Sequence, residues 1–221
     1  MIASRFLVSS LIVIVLSGCA TPPKNPASAA PLAVLASEAG VHEKARACQV
    51  LAVVGGPEAV PALAGLLGHE VLADYARSGL EGIADPSAGV ALRQALGTLS
   101  GRNLAGVVNS LGVRRDRAAV PELQRLALDP KRGVAEEALA SLGLIATSDA
   151  AKTIQQIVKG GPADLRVPAA HAALVVAERL AQEKNGALAR EILNDVVHAL
   201  PPGHLPDVAQ HQLDALKAGK N

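Results

Sequence analysis

The stretch SLGVRRDRAAVPEL, residues 110–123, is followed by SLGLIATSDAAKTI, residues 141–154, which keeps the apolar letters of the first and changes most of the polar ones. Anchored on Leu111, equivalent leucines stand at Leu51, Leu80 and Leu142, with spacings of 29, 31 and 31. Eight residues after each comes an alanine (Ala59, Ala88, Ala119, Ala150), and four further on come Leu63, Leu92, Leu123 and Ile154. The next turn supplies Leu66-Leu67, Ala95-Leu96, Leu126-Ala127 and Ile157-Val158. Within one unit this is the i, i+4, i+7, i+8 stripe of an amphipathic helix.

The column three residues before each alanine holds Gly56, Asp85, Asp116 and Thr147, residue types that serve as N-caps. Pro57, Pro86, Arg117 and Ser148 come next, and proline suits the first helical position because its missing N–H had no partner there. Each unit therefore reads as a helix ending near the anchor leucine, a short capped turn and a second helix. Leu32 and Leu35, leading into VHEKARACQVLAVVG, fit an earlier unit in the same register. Shared apolar letters are what stacked hairpins need, while the variable polar letters face solvent or a partner.

Composition agrees with this reading. Half of the 221 residues are apolar, yet the aromatic share is 1%, Phe6 and Tyr75, with no Trp. A core of Ala, Leu, Val and Ile suits closely packed helices better than a sandwich or barrel. The expected fold class is all-α. The formal net charge of +1 offers no electrostatic footprint for nucleic acid, and none is expected as a partner.

A period near 31 with paired helices and capped turns resembles the short bacterial HEAT-like repeat, of the kind found in phycobilisome-lyase-type proteins. The segments KARACQVLAVVGGPEAVPALAGLL, YARSGLEGIADPSAGVALRQAL and VVNSLGVRRDRAAVPEL are similar to HEAT-repeat proteins common in planctomycete and verrucomicrobial genomes. That resemblance spans roughly residues 30–160 and implies a right-handed α-solenoid. It carries over no activity.

The rhythm changes after KGGPADLR, residues 159–166. Longer helices are expected over 167–184, 188–200 and 207–217, and the interval from Leu142 to its counterpart Leu180 grows to 38. ALVVAERLAQEKNGALAREILNDVV resembles a tetratricopeptide-type pair turning at Asn185-Gly186, where a positive φ is expected. It lacks the aromatic residue of that family near Leu193. These helices are expected to cap the array.

The N-terminus carries an address. MIASRFLVSSLIVIVLSGC has one cation at Arg5, an apolar run from Phe6 to Leu16 and then small residues. The run falls short of the roughly 20 residues needed to span a bilayer and has the anatomy of a secretory signal. Leu16-Ser17-Gly18-Cys19 resembles the bacterial lipobox. The resemblance implies that Cys19 becomes the acylated mature N-terminus, and several acyl chains at about 0.8 kcal/mol per buried CH₂ anchor it stably. Ala20 follows without an Asp, favouring the periplasmic side of the outer membrane where the host has two. The expected organisation is a signal peptide at 1–18, lipidated Cys19 and a Pro-rich tether at 19–27, HEAT-like repeats at 28–160 and C-terminal hairpins at 161–221.

The candidate partner-binding residues are Tyr75, Arg77, Asn109, Arg114 and Arg115. The two adjacent arginines offer forked donors suited to a carboxylate or phosphate. Asp116 and Arg117 share their turn, and Asp116 also occupies the cap column. Cys48 falls on an apolar face and reads as a small buried hydrophobe. The six histidines lack ligand spacing, and no H-E-x-x-H, G-x-S-x-G, Walker or G-x-G-x-x-G motif occurs. The expectation is a scaffold without catalytic residues, metal or cofactor that binds a protein partner in the cell envelope. The alternative is an accessory subunit of a carbohydrate-related envelope enzyme complex, or a HEAT-like lyase.

Overall fold

The computed structural model describes residues 25–218. The expected signal peptide, Cys19 and most of the tether lie outside them. Twelve α-helices account for the regular structure of the described residues, with short 3₁₀ turns at Pro57–Ala59, Arg117–Ala119 and Pro130–Arg132. They are α1 (Pro26–Ala36), α2 (Val41–Val54), α3 (Val60–Ala64), α4 (Ala73–Gly82), α5 (Pro86–Ala95) and α6 (Gly101–Val113). Then follow α7 (Val120–Leu128), α8 (Ala135–Ile145), α9 (Ser148–Gly160), α10 (Ala163–Gln182), α11 (Gly186–Ala199) and α12 (His204–Ala218).

The apolar columns become the core. Leu51, Leu80, Leu111 and Leu142, the four alanines eight residues on, and Leu63, Leu92, Leu123 and Ile154 are all 0% exposed. Each anchor leucine ends a helix that packs on the equivalent helix of the next unit: α2 on α4, α4 on α6, α6 on α8 and α8 on α10. The second helices follow on the other side, with α3 against α5, α7 against α9 and α9 against α11. Because each second helix also touches the first helix of the following unit, the core runs without interruption from Cys48 to Leu213.

The caps form where the cap column falls. The side chains of Asp85, Asp116 and Thr147 accept from the backbone N–H groups of Ser87, Ala118 and Ala150. In the first unit Gly56 has no side chain to offer, and the second helix is a 3₁₀ turn followed by the five-residue α3. The stripe predicted a helix through Leu67; it stops at Ala64 because Gly65 and Gly68 weaken the following turn.

Boundaries differ elsewhere too. Asn25 accepts from Ala27 N–H and starts α1 at Pro26, so the last two residues assigned to the tether are helical. The C-terminal helices start two to four residues earlier than expected. The positive φ expected at Asn185-Gly186 falls on Lys184, at φ 63°. There Asn185 N–H reaches back to Leu180 C=O at 2.7 Å, a Schellman closure, and Gly186 is already the first residue of α11.

Candidate functional site

The repeated triplet Ser-Leu-Gly is where consecutive first helices meet. Leu111 and Leu142 point into the core, and the residues flanking them build the seam. The Ser141 hydroxyl, on α8, donates to Val108 C=O of α6 at 2.9 Å. A Cβ placed on Gly112 would lie 2.8 Å from Ser141 Cα, and one on Gly143 would lie 3.1 Å from Ala172 O of α10. The glycines thus set the close approach of α6 to α8 and of α8 to α10. The expected repeat rests on the leucine and gives its neighbours no role. The signal was present in the triplet's recurrence.

Between α4 and α6 the seam is polar. Arg77 donates to Gly106 C=O at 3.1 Å and to the Ser110 hydroxyl at 3.2 Å, and is held on its own helix by Asp74 at 2.8 Å. Ser110 in turn donates to Glu81 Oε1 at 2.6 Å, and Arg102 pairs with the other Asp74 oxygen. The hydrogen bond from Arg77, ahead of any other cause, holds the Asp74 carboxyl below its ordinary pKa.

Arg114 crosses the same seam one turn further on. Its guanidinium donates to Leu80 C=O at 2.6 Å, Ile83 C=O at 2.5 Å and Glu81 C=O at 3.1 Å. These are the orphan carbonyls at the C-terminus of α4, where a cation also complements the helix dipole. The forked donors expected to meet an incoming anion are therefore committed to backbone. Arg115, at φ 51°, is the left-handed residue that ends α6, and its side chain is exposed. Asp116 caps the following 3₁₀ turn and pairs with Arg93 of α5. Arg117 is exposed beside it.

Tyr75 is half-buried against the core. Of the predicted residues, Arg77 and Arg114 come together along the α4–α6 seam, both facing inward. Asn109 lies apart from them. It is exposed and lines an open groove of about 680 Å³ across α6, α8 and α10. Ala140, Leu144, Ala172, Val167 and Val175 form the apolar lining, with Glu136, Glu137 and His171 among the polar groups. Val167 and Val175 are 50% and 40% exposed.

Cys48 is a free thiol, wholly buried, and burial raises its pKa, so it behaves as core rather than nucleophile. Among the described residues no group of three His, Cys, Asp or Glu is placed to hold a metal ion. Among the same residues no helix is long and apolar enough to cross a membrane. No protein-family model matches the chain, and no curated protein matches it significantly.

Proposed function

We propose that the chain is a lipid-anchored scaffold of the cell envelope, a right-handed α-solenoid of HEAT-like hairpins with a tetratricopeptide-like C-terminal cap, that holds a partner protein. The single observation that supports a binding role is the groove over α6, α8 and α10, an apolar trough bordered by carboxylates. Exposed apolar surface rimmed by polar groups is a feature that interaction sites use. The cation chemistry at the helix junctions supports the frame, not the contact, because Arg77 and Arg114 face the α4–α6 seam.

The test is affinity capture from solubilised envelope membranes with the wild-type chain and with Ala140→Arg and Val175→Arg, both exposed positions in the groove. A protein recovered with wild type and reduced at least tenfold with both variants supports the reading. Recovery that ignores the groove variants, or no specific partner under any growth condition, defeats it.

A further inference from the structure

Helix α1 reads PASAAPLAVLA and carries no charged side chain. Its one hydroxyl is turned inward: Ser28 donates to Asn25 C=O at 2.7 Å and to Glu58 Oε1 at 2.6 Å. Ala27, Ala29, Ala30, Ala33 and Ala36 are left on the outside. The adjoining helix α2 adds Val50 and Val53, which are 47% and 86% exposed. Between the two helices runs a shallow groove of about 390 Å³, lined by Ala30, Pro31, Val34, Ala47 and Val50, with Glu43 and Arg46 on its α2 side. A helix apolar all round is normally buried, and the terminal unit of a stacked array normally shows a polar outer face.

The opposite end obeys that rule. Helix α12 exposes Asp207, Gln210, His211, Asp214 and Lys217. The two ends of the array therefore differ in chemistry, and the uncovered apolar end is the one joined to the tether. Asn25 lies six positions after Cys19, a reach of about 20 Å when extended. A bilayer headgroup layer is about 5–7 Å deep, so this tether is long enough for α1 to lie along the interface and too short to carry it far away. At the millimolar effective concentrations that short tethers impose, a small apolar face suffices for contact.

We infer that the outer face of α1 and α2 rests on the lipid surface, so that the array stands with α1 at the membrane and α12 pointing away. The inference rests on the lipid-anchor reading of Cys19. It gives the apolar end a function besides anchoring: it sets the orientation in which the groove over α6, α8 and α10 is presented.

The test uses the full acylated protein in phosphatidylethanolamine–phosphatidylglycerol vesicles, in a Cys48→Ala background. An environment-sensitive fluorophore is placed at Ala33→Cys, Val53→Cys or, at the far end, Asp214→Cys. Lipid-borne quenchers should reduce emission at positions 33 and 53 at least threefold more than at 214, and Val53→Glu should weaken the effect at position 33. Equal quenching at all three positions overturns the orientation. Self-quenching at position 33 that rises with surface density would assign the face to a second copy, and shielding seen only in native membranes would assign it to a protein; either overturns the proposal. The mass of the mature N-terminus separates the two readings: without a diacylglyceryl group on Cys19 the anchor itself falls, and the orientation with it.

Discussion

Arg114 is a residue whose chemistry was legible and whose address was not. Its forked donors meet planar oxygen acceptors, as the side chain's geometry demands, but the acceptors are the carbonyls that end α4. A lone sequence does not say which helix terminus lies across the seam. Arg114→Ala should cost about 1.5–3 kcal/mol in chemical denaturation, the range for hydrogen bonds to a charged group. Arg114→Lys should recover only part of this, since a single ammonium can replace Nη1 at the Leu80, Glu81 and Ile83 carbonyls but loses the bond from Nη2 to Asp85 C=O. Asp74 offers a pH signature. Its folded pKa lies below the unfolded value, so its contribution is present above about pH 4 and is lost as pH falls through the folded pKa. Asp74 is 44% exposed, so solvent screening keeps the effect under about 1 kcal/mol. Wild type should exceed Asp74→Asn in urea denaturation at neutral pH by that margin, with the difference vanishing at the acid end.

At the scale of helices, the period and the caps were readable because each rests on local chemistry: a stripe every three to four residues, and an Asp or Thr at the turn. Thr147→Ala should therefore cost about 1 kcal/mol, read as a fall in the urea midpoint. What stayed hidden depends on how neighbouring helices approach. Gly112→Ala should destabilise by about 1–3 kcal/mol, because the new methyl meets Ser141 backbone that cannot turn aside. At Gly160, where a Cβ meets nothing within 4 Å, the same change should be neutral or stabilising. Helix ends supply the reverse case. Arg115, Ala146 and Lys184, each four residues past its anchor leucine, have φ of 51°, 55° and 63°. Ala146→Gly should raise stability by about 1 kcal/mol in thermal or urea melts by relieving that conformation. At these three positions no glycine marks the left-handed turn, which is why the turn before α11 is expected one or two residues too late.

For the whole molecule, the all-helical architecture followed from composition and register, since a core nearly without aromatic residues needs close helical packing and the columns reach 0% exposure where the register put them. The groove was not legible, because Asn109, Leu144 and Val175 lie on three helices whose relative placement comes only from stacking. Equivalent units in contact chiefly with their neighbours make the chain shortenable by one unit. The most direct measurement is circular dichroism and thermal melting of a chain lacking residues 81–111, in which Leu80 is joined to Gly112 in register. The stacked-hairpin account predicts unchanged helicity per residue and a single cooperative transition at a moderately lower temperature. A shortened chain that loses its helical signal, or melts without cooperativity, would contradict it.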